Sequence, residues 1–522
     1  MALLILAIAS CNGQKKKIRV DTESPQERPN ILFLSIDDLR PDLGCYGNTE
    51  IKTPNIDALA TSSMLMLNTH CQAAVCAPSR ASTLLGYRPD STRVWHLGDK
   101  FREINPNAVT MPQYFNKAGY YTVNIGKIFH NYMPDSISWD EPDLRPAPYN
   151  TKAYENRDAE TFYYSEEAKA IQVKAREPLI EKSRGKKIYA DGWARGPAVE
   201  NTELPDSIYY DAMQTQLALK TIDRIKNNAQ PFFMGLGFYR PHLPFVAPKK
   251  YWDMYPKGSV SAAANPRLPE NVPVMSANSN YELRSYTTAH KIGRPEDAPL
   301  PEKYADSLKR GYYASVSFID ACVGKLVEGL KERNLYENTI IVLWGDHGWK
   351  LGDHNGWGKQ TNFYIDTHVP LIIKPANQKA GKRITALSEL VDIFPTLCDL
   401  AGVGKAEYFQ GTSLLPVFDN PNIEWKDAVF TQFRRRKRIS KDGNEYMGYS
   451  MQTKQHHYIE WYLWDNIKKE KGVLSAAELY DHKVDPYETK NIADDSENKE
   501  VVNQLSKQLA KGWRAALPKN RS

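Results

Sequence analysis

Ile31-Leu32-Phe33-Leu34-Ser35-Ile36-Asp37-Asp38 is the stretch on which the fold turns. Its apolar part is short and does not alternate with polar residues. That suits a strand covered on both faces better than a surface strand or a helix. It ends in two adjacent carboxylates, which repel each other unless a cation sits between them. Taken alone, the same pair also suits a solvated turn that caps a helix.

The same grammar recurs down the chain. Tyr120 to Ile125 reads as a strand and runs into Gly126-Lys127, with His130 close behind. Pro231 to Phe238 leads into Tyr239-Arg240-Pro241-His242-Leu243-Pro244-Phe245. Thr339 to Trp344 leads into Gly345-Asp346-His347-Gly348, and Lys359 lies in the loop beyond. Pro370 to Lys374 is one further strand. Helical stretches lie between, over Tyr209–Ile225 and Leu308–Leu335. The second carries Tyr312, Val316, Ile319, Val323 and Leu326 as an apolar stripe. Alternating strands and helices predict an α/β fold with a mostly parallel sheet. Asp37, Lys127, His242 and Asp346 each follow the carboxyl end of a strand, the edge where open α/β sheets bind ligands. Singly, each such lysine or histidine reads as a surface residue; their shared placement is what gives them weight.

The remaining candidate is Cys76-Ala77-Pro78-Ser79-Arg80, followed by Ala81 to Gly86. Pro78 suits a first helical turn and Gly86 a helix stop. Cys76 then stands where free N–H groups and the helix dipole favour negative charge, with Arg80 one turn on. An isolated cysteine there is ordinarily a buried structural one. Cys-x-Pro-Ser-Arg, however, resembles the signature of the type I sulfatases, whose cysteine a maturation enzyme oxidises to formylglycine (3-oxoalanine). The resemblance extends from about Asn30 to Asp494. Gly348-Trp349, Leu351-Gly352-Asp353-His354, Asn362-Phe363, Thr367-His368-Val369-Pro370 and the His242 loop resemble the iduronate-2-sulfatase branch.

That resemblance implies an alkaline-phosphatase-like sandwich with a mostly parallel central sheet and a smaller C-terminal α+β subdomain. It implies divalent-metal ligands at Asp37, Asp38, Asp346 and His347, together with the residue made from Cys76. The carboxylates point to a hard cation, calcium or else magnesium, although His347 is a softer partner. Arg80 would help activate the nucleophile, His130 take the second proton of the hydrated aldehyde, and His242 protonate the departing sugar oxygen. Lys127 and Lys359 would neutralise the sulfate oxygens. The implied activity is hydrolysis of sulfate esters of a sulfated, uronate-containing polysaccharide or oligosaccharide. An exo-acting enzyme for 2-O-sulfated iduronate is the closest match, with a glycosaminoglycan or ulvan as the polymer. Rival readings are a phosphoryl or phosphonate monoester hydrolase of the same fold, and a catalytically silent glycan-binding protein.

The chain has 522 residues, 41% hydrophobic and 25% charged, with a formal net charge of +6. The size allows two domains and a large core, and the charge is too mild to indicate nucleic acid. Residues 1–10 are apolar but too short to span a bilayer. With Cys11 they resemble a lipobox, so the expectation is a signal peptide, a lipidated Cys11, and export to the periplasm or an outer-membrane-anchored or surface position. No basic residue precedes the apolar run, so an ordinary secretory signal stays open. Residues 11–28 read as a linker, 29–420 as the catalytic domain and 421–522 as the C-terminal subdomain. Of the other cysteines, Cys45, Cys71, Cys322 and Cys398 offer no assignable disulfide. The stretches 134–205 and 256–301 read as irregular excursions at the rim of the site. The basic run Arg434 to Arg438 reads as a solvated face, or as a contact for an anionic polymer.

Overall fold

The computed structural model describes residues 28–130, 133–147, 149, 163–182, 195–289, 291–437 and 440–518. Cys11 and the lipobox lie outside the described residues. The central strand is β1 (Asn30–Ile36), and its alternation explains why its sequence carries none. Leu32, Leu34 and Ile36 face one core, while Ile31 and Phe33 face the other. Around it stand β2 (Met64–His70), β3 (Tyr121–Gly126), β4 (Glu141–Leu144), β5 (Phe232–Phe238), β6 (Thr339–Gly345), β7 (His368–Lys374) and β8 (Lys382–Ile384). They form one sheet in the order β8-β2-β7-β6-β1-β5-β3-β4, with Ser388–Glu389 also pairing to β2. β1 runs parallel to β5 and β6, in register Ile31 to Phe233 and Ile31 to Ile340. Only β7 runs against its neighbours β2 and β6.

Helices cover both faces. On one side lie α2 (Tyr210–Ile225) and the long α3 (Glu302–Glu332), whose predicted stripe is buried from Tyr312 to Leu326. On the other lie α1 (Cys76–Leu85) and α4 (Ile393–Leu400), packed through Ala81, Leu84, Leu85, Phe394 and Leu397. The chain then builds a second, antiparallel sheet from β9 (Ala428–Arg435), β10 (Tyr446–Thr453), β11 (His456–Asp465) and β12 (Glu470–Asp481). Helix α5 (Lys499–Lys511) packs on it through Leu505 and Leu509.

Two expectations are corrected. The stretch 134–205 is not wholly irregular: it holds β4 and a helix over Glu166–Lys182. That helix contains Pro178 and has no apolar stripe, so periodicity could not reveal it. The basic run is not a solvated face at its start. Arg434 and Arg435 lie on β9 and are buried, Arg435 donating to the carbonyls of Met275, Ser276 and Gln360. Arg438 lies outside the described residues. The five described cysteines are all free thiols. Among the described residues, no helix is long and apolar enough to cross a membrane.

Candidate active site

The carboxyl ends of β1, β3, β5 and β6 bring their trailing loops together, and α1 starts over the same spot. Val75 is extended and the helix begins at Cys76; Gly86, at φ +69°, ends it in the left-handed region glycine tolerates. Close approach of the loops needs bare positions, Gly237 among them. A Cβ on Gly237 of β5 would lie 2.6 Å from the Lys127 nitrogen and closer still to its carbonyl. This is where Lys127 turns in towards the site.

Arg80 is the hub. Its guanidinium is fully buried and donates to Asp346 Oδ2 at 2.9 Å, Asp37 Oδ1 at 3.2 Å, Ser35 Oγ at 2.8 Å and the Ile128 carbonyl at 3.0 Å. It therefore acts one step behind the cysteine, clamping two carboxylates in place. Ser79 Oγ also donates to the Asp346 carbonyl. Asp346 in turn accepts from the Asp38 amide at 3.1 Å. Asp38 itself sits at φ +61°, a conformation that costs a non-glycine residue energy and is tolerated where surrounding contacts enforce it.

Lys127 Nζ donates to Asp37 Oδ2, and Lys359 Nζ donates to Asp38 Oδ1 at 2.6 Å. The two neighbouring aspartates differ accordingly. Burial pushes the Asp37 carboxyl up, but Lys127, His242 and Arg80 outweigh it and hold it well below the usual range. Burial, aided by the charge of Asp37, pushes Asp38 up to about 7 despite Lys359. Burial also pushes the Cys76 thiol up.

Asp37, Cys76, Asp346 and His347 each offer a donor atom within 4.8 Å of one another. His347 Nε2 is 3.1 Å from Cys76 Sγ and 3.4 Å from Asp38 Oδ1. Its Nδ1 lies 3.0 Å from the Gly348 carbonyl, so Nδ1–H donates there and Nε2 turns a lone pair to the cluster. Asp38 Oδ2 is buried with no hydrogen-bond partner. An orphaned carboxylate oxygen, convergent carboxylates and an imidazole held in the ligating tautomer fit a hard divalent cation.

His242 lies at the outer wall, its Nε2 3.9 Å from Asp38 Oδ2 and its Nδ1 2.7 Å from the Leu243 carbonyl. Burial and the charge of Lys359 lower its pKa against the pull of Glu282. His130 stands in the loop that follows Lys127, half-buried. The structure thus brings Asp37, Asp38, Cys76, Arg80, Lys127, His242, Asp346, His347 and Lys359 to one place. It adds one residue that the sequence did not signal. Glu282, on a single turn Tyr281–Arg284, puts Oε1 3.2 Å from His242 Nε2 and Oε2 3.5 Å from Lys359 Nζ. It is buried, which raises its pKa, yet Lys359 and His242 hold it well below the usual range. A lone glutamate in an aperiodic stretch carries no local signal; only the folding of that loop over the His242 turn reveals it.

A family model described as Sulfatase matches residues 29–403, and one for the N-sulphoglucosamine sulphohydrolase C-terminal region matches residues 352–514. The iduronate 2-sulfatase of Mus musculus is 31% identical over 540 residues, covering 91% of this chain and 93% of that protein. Among solved structures, the phosphonate monoester hydrolase of Agrobacterium radiobacter superposes with a TM-score of 0.69 at 20% identity, over 93% of this chain and 95% of that one. BT4656, in complex with its substrate D-glucosamine-2-N,6-O-disulfate, superposes with a TM-score of 0.67 at 20% identity, over 93% and 99%. At that identity these two show the fold, an α/β sandwich with a mostly parallel central sheet and a C-terminal domain. With a family model over most of its length and a relative above 30% identity across nine-tenths of it, this chain belongs to the sulfatase family, the hydrolases of sulfuric esters.

Proposed function

We propose that the protein removes sulfate from a sulfated glycosaminoglycan or a related uronate-containing glycan, acting from the chain end on a 2-O-sulfated iduronate or uronate. The observation that carries this reading is the meeting of Cys76, at the start of α1, with Asp37, Asp38, Asp346 and His347 between two buried lysines. The kinship with iduronate 2-sulfatase supplies the substrate class.

In this reading a maturation enzyme converts Cys76 to formylglycine, whose hydrate supplies one hydroxyl to attack sulfur and a second to expel the sulfate afterwards. A divalent cation, calcium or magnesium, supplies charge that favours the ionised nucleophile and a bound sulfate. Asp37, Asp38, Asp346 and His347 would hold it. Arg80 keeps Asp37 and Asp346 aimed at that point. Lys127 and Lys359 turn their ammonium groups to the sulfate oxygens as charge shifts onto them. His242 gives a proton to the departing sugar oxygen, and His130 takes the proton that lets the sulfate go. Residues 29–420 would form the catalytic unit and 421–522 the subdomain that shapes the glycan subsites. The lipobox reading would place the enzyme outside the cytoplasm, tethered through Cys11.

The first test is a mass spectrum of the Cys76 peptide from protein made in its native host. Loss of sulfur and two hydrogens with gain of one oxygen is expected; an intact thiol in every molecule overturns the mechanism. The second compares matched sulfate and phosphate monoesters. Faster turnover of the phosphate ester overturns the substrate assignment in favour of a phosphoryl or phosphonate hydrolase.

A further inference from the structure

Glu282 touches His242, which is read above as the donor to the departing oxygen, and Lys359, which is read as facing the sulfate, and nothing in that mechanism uses it. Its contacts are specific. Oε1 lies 3.2 Å from His242 Nε2, Oε2 lies 3.5 Å from Lys359 Nζ, and Arg195 backs the carboxylate at 3.5 Å. The His242 ring has one nitrogen already committed, since Nδ1–H donates to the Leu243 carbonyl at 2.7 Å. Nε2 is therefore the nitrogen that turns to the site. It has two carboxylates to choose from, and Glu282 is nearer than Asp38, which stands at 3.9 Å. A hydrogen bond from Nε2–H to Glu282 fixes the rotation of the ring and keeps that proton off Asp38. Without Glu282, His242 would turn to Asp38, a carboxylate of the cation cluster.

We propose that Glu282 is the positioning residue for leaving-group protonation: it holds His242 Nε2–H in the resting site and away from Asp38, and yields that proton to the sugar oxygen that enters beside it. This rests on the reading of His242 as the acid. In the step concerned, sulfur takes a new bond from the deprotonated oxygen at position 76. The sulfur–oxygen bond to the sugar breaks, and its electron pair stays on the sugar oxygen. The proton on His242 Nε2 passes to that oxygen, which leaves as the alcohol. His242 is left neutral, with Nδ1–H still bonded to Leu243. The Glu282 carboxylate is unchanged throughout.

Leaving-group basicity separates this role from a structural one. A sugar alkoxide needs that proton; a 4-nitrophenolate does not. The matured protein would be compared with Glu282→Gln on a 2-O-sulfated uronate disaccharide and on 4-nitrophenyl sulfate. Glu282→Gln preserves size, and its thermal melting checks the fold. The expected result is a loss of about 100-fold in kcat on the sugar sulfate, the scale of one general acid, with a loss at least tenfold smaller on the aryl sulfate. In a His242→Ala background, Glu282→Gln should cost nothing further on the sugar sulfate. Equal losses on both esters, no loss on either, or a full further loss in the His242→Ala background would each overturn the proposal. Failure of the underlying reading looks different: the unsubstituted protein would then turn over neither sulfate ester.

Discussion

Lys127 and Lys426 are both buried lysines that grip aspartates, yet the clusters around them are built to different rules. Lys426 binds Glu389 at 2.8 Å and both oxygens of Asp392 at 2.7 Å, and Arg88 closes on Glu389 at 2.6 and 2.7 Å. Backbone amides of Phe430, Thr412 and Glu389 take the remaining acceptor directions. Every carboxylate oxygen there has a partner, and the cluster ties the strand after Lys426 to the main sheet. The site cluster leaves Asp38 Oδ2 without one. At Lys426 the carboxylates are closed by the protein's own groups, whereas the site cluster stays open at the corner where the cation of the proposed reading would sit.

The largest effect that would sharpen this contrast is on turnover. Cys76→Ala should abolish sulfate ester hydrolysis while shifting the melting temperature by no more than a degree or two. Alanine fits a first helical turn, and the buried thiol's near neighbour is His347. Measurable activity in a purified Cys76→Ala preparation would break the nucleophile assignment. Next comes the closed cluster. Lys426→Met should cost about 3–5 kcal/mol, because it leaves Asp392 buried without the one cation that pairs with it among the described residues. Denaturant unfolding would measure it. Divalent-cation affinity should stay the same, and a large loss of affinity would show that the two clusters are not independent.

How far the sequence could foresee this follows from where the information sits. Asp37, Lys127, His242 and Asp346 each stand directly after an apolar run, so one strand and its loop are enough to flag them. Their convergence needs only the parallel order of the sheet. Glu282 and Arg435 are different. Each is placed by a contact between stretches far apart in the chain, Glu282 against the His242 turn and Arg435 against the 275–276 carbonyls and Gln360. Arginines in a basic run read as solvated until strand pairing in β9 turns them inward. The helix over Glu166–Lys182 failed for another reason: it lacks the apolar stripe that periodicity detects.

A third prediction is smaller. Asp346→Asn removes one charged donor but keeps the hydrogen bond from the Asp38 amide sterically possible. Cation affinity should fall by at least about 10–100-fold, the loss that follows from removing even a group that only supports a ligand, read by calorimetry or by metal content after dialysis. Unchanged content would count against Asp346 as a ligand.

The smallest effect is also the sharpest, because its size should differ between the clusters. In metal-free protein, Asp38 is a buried carboxylate beside another, with one oxygen unpaired. Asp38→Asn removes the like-charge repulsion with Asp37, at the cost of the ion pair with Lys359. The two terms oppose each other, and the net change in metal-free stability should lie within about 1 kcal/mol of zero. Asp392→Asn also relieves a repulsion, that of Glu389, but both Asp392 oxygens are taken by Lys426 and by backbone amides. It would leave Lys426 with one anion in place of two and put an amide NH₂ against an ammonium, so it should destabilise by about 2 kcal/mol or more. With the cation added, the gap should close or reverse: Asp392→Asn keeps Asp38 and gains stability from binding as the unsubstituted protein does, while Asp38→Asn gains little. Equal destabilisation by the two substitutions without metal would mean that the site cluster is as closed as the structural one, and the open corner at Asp38 Oδ2 would lose its meaning.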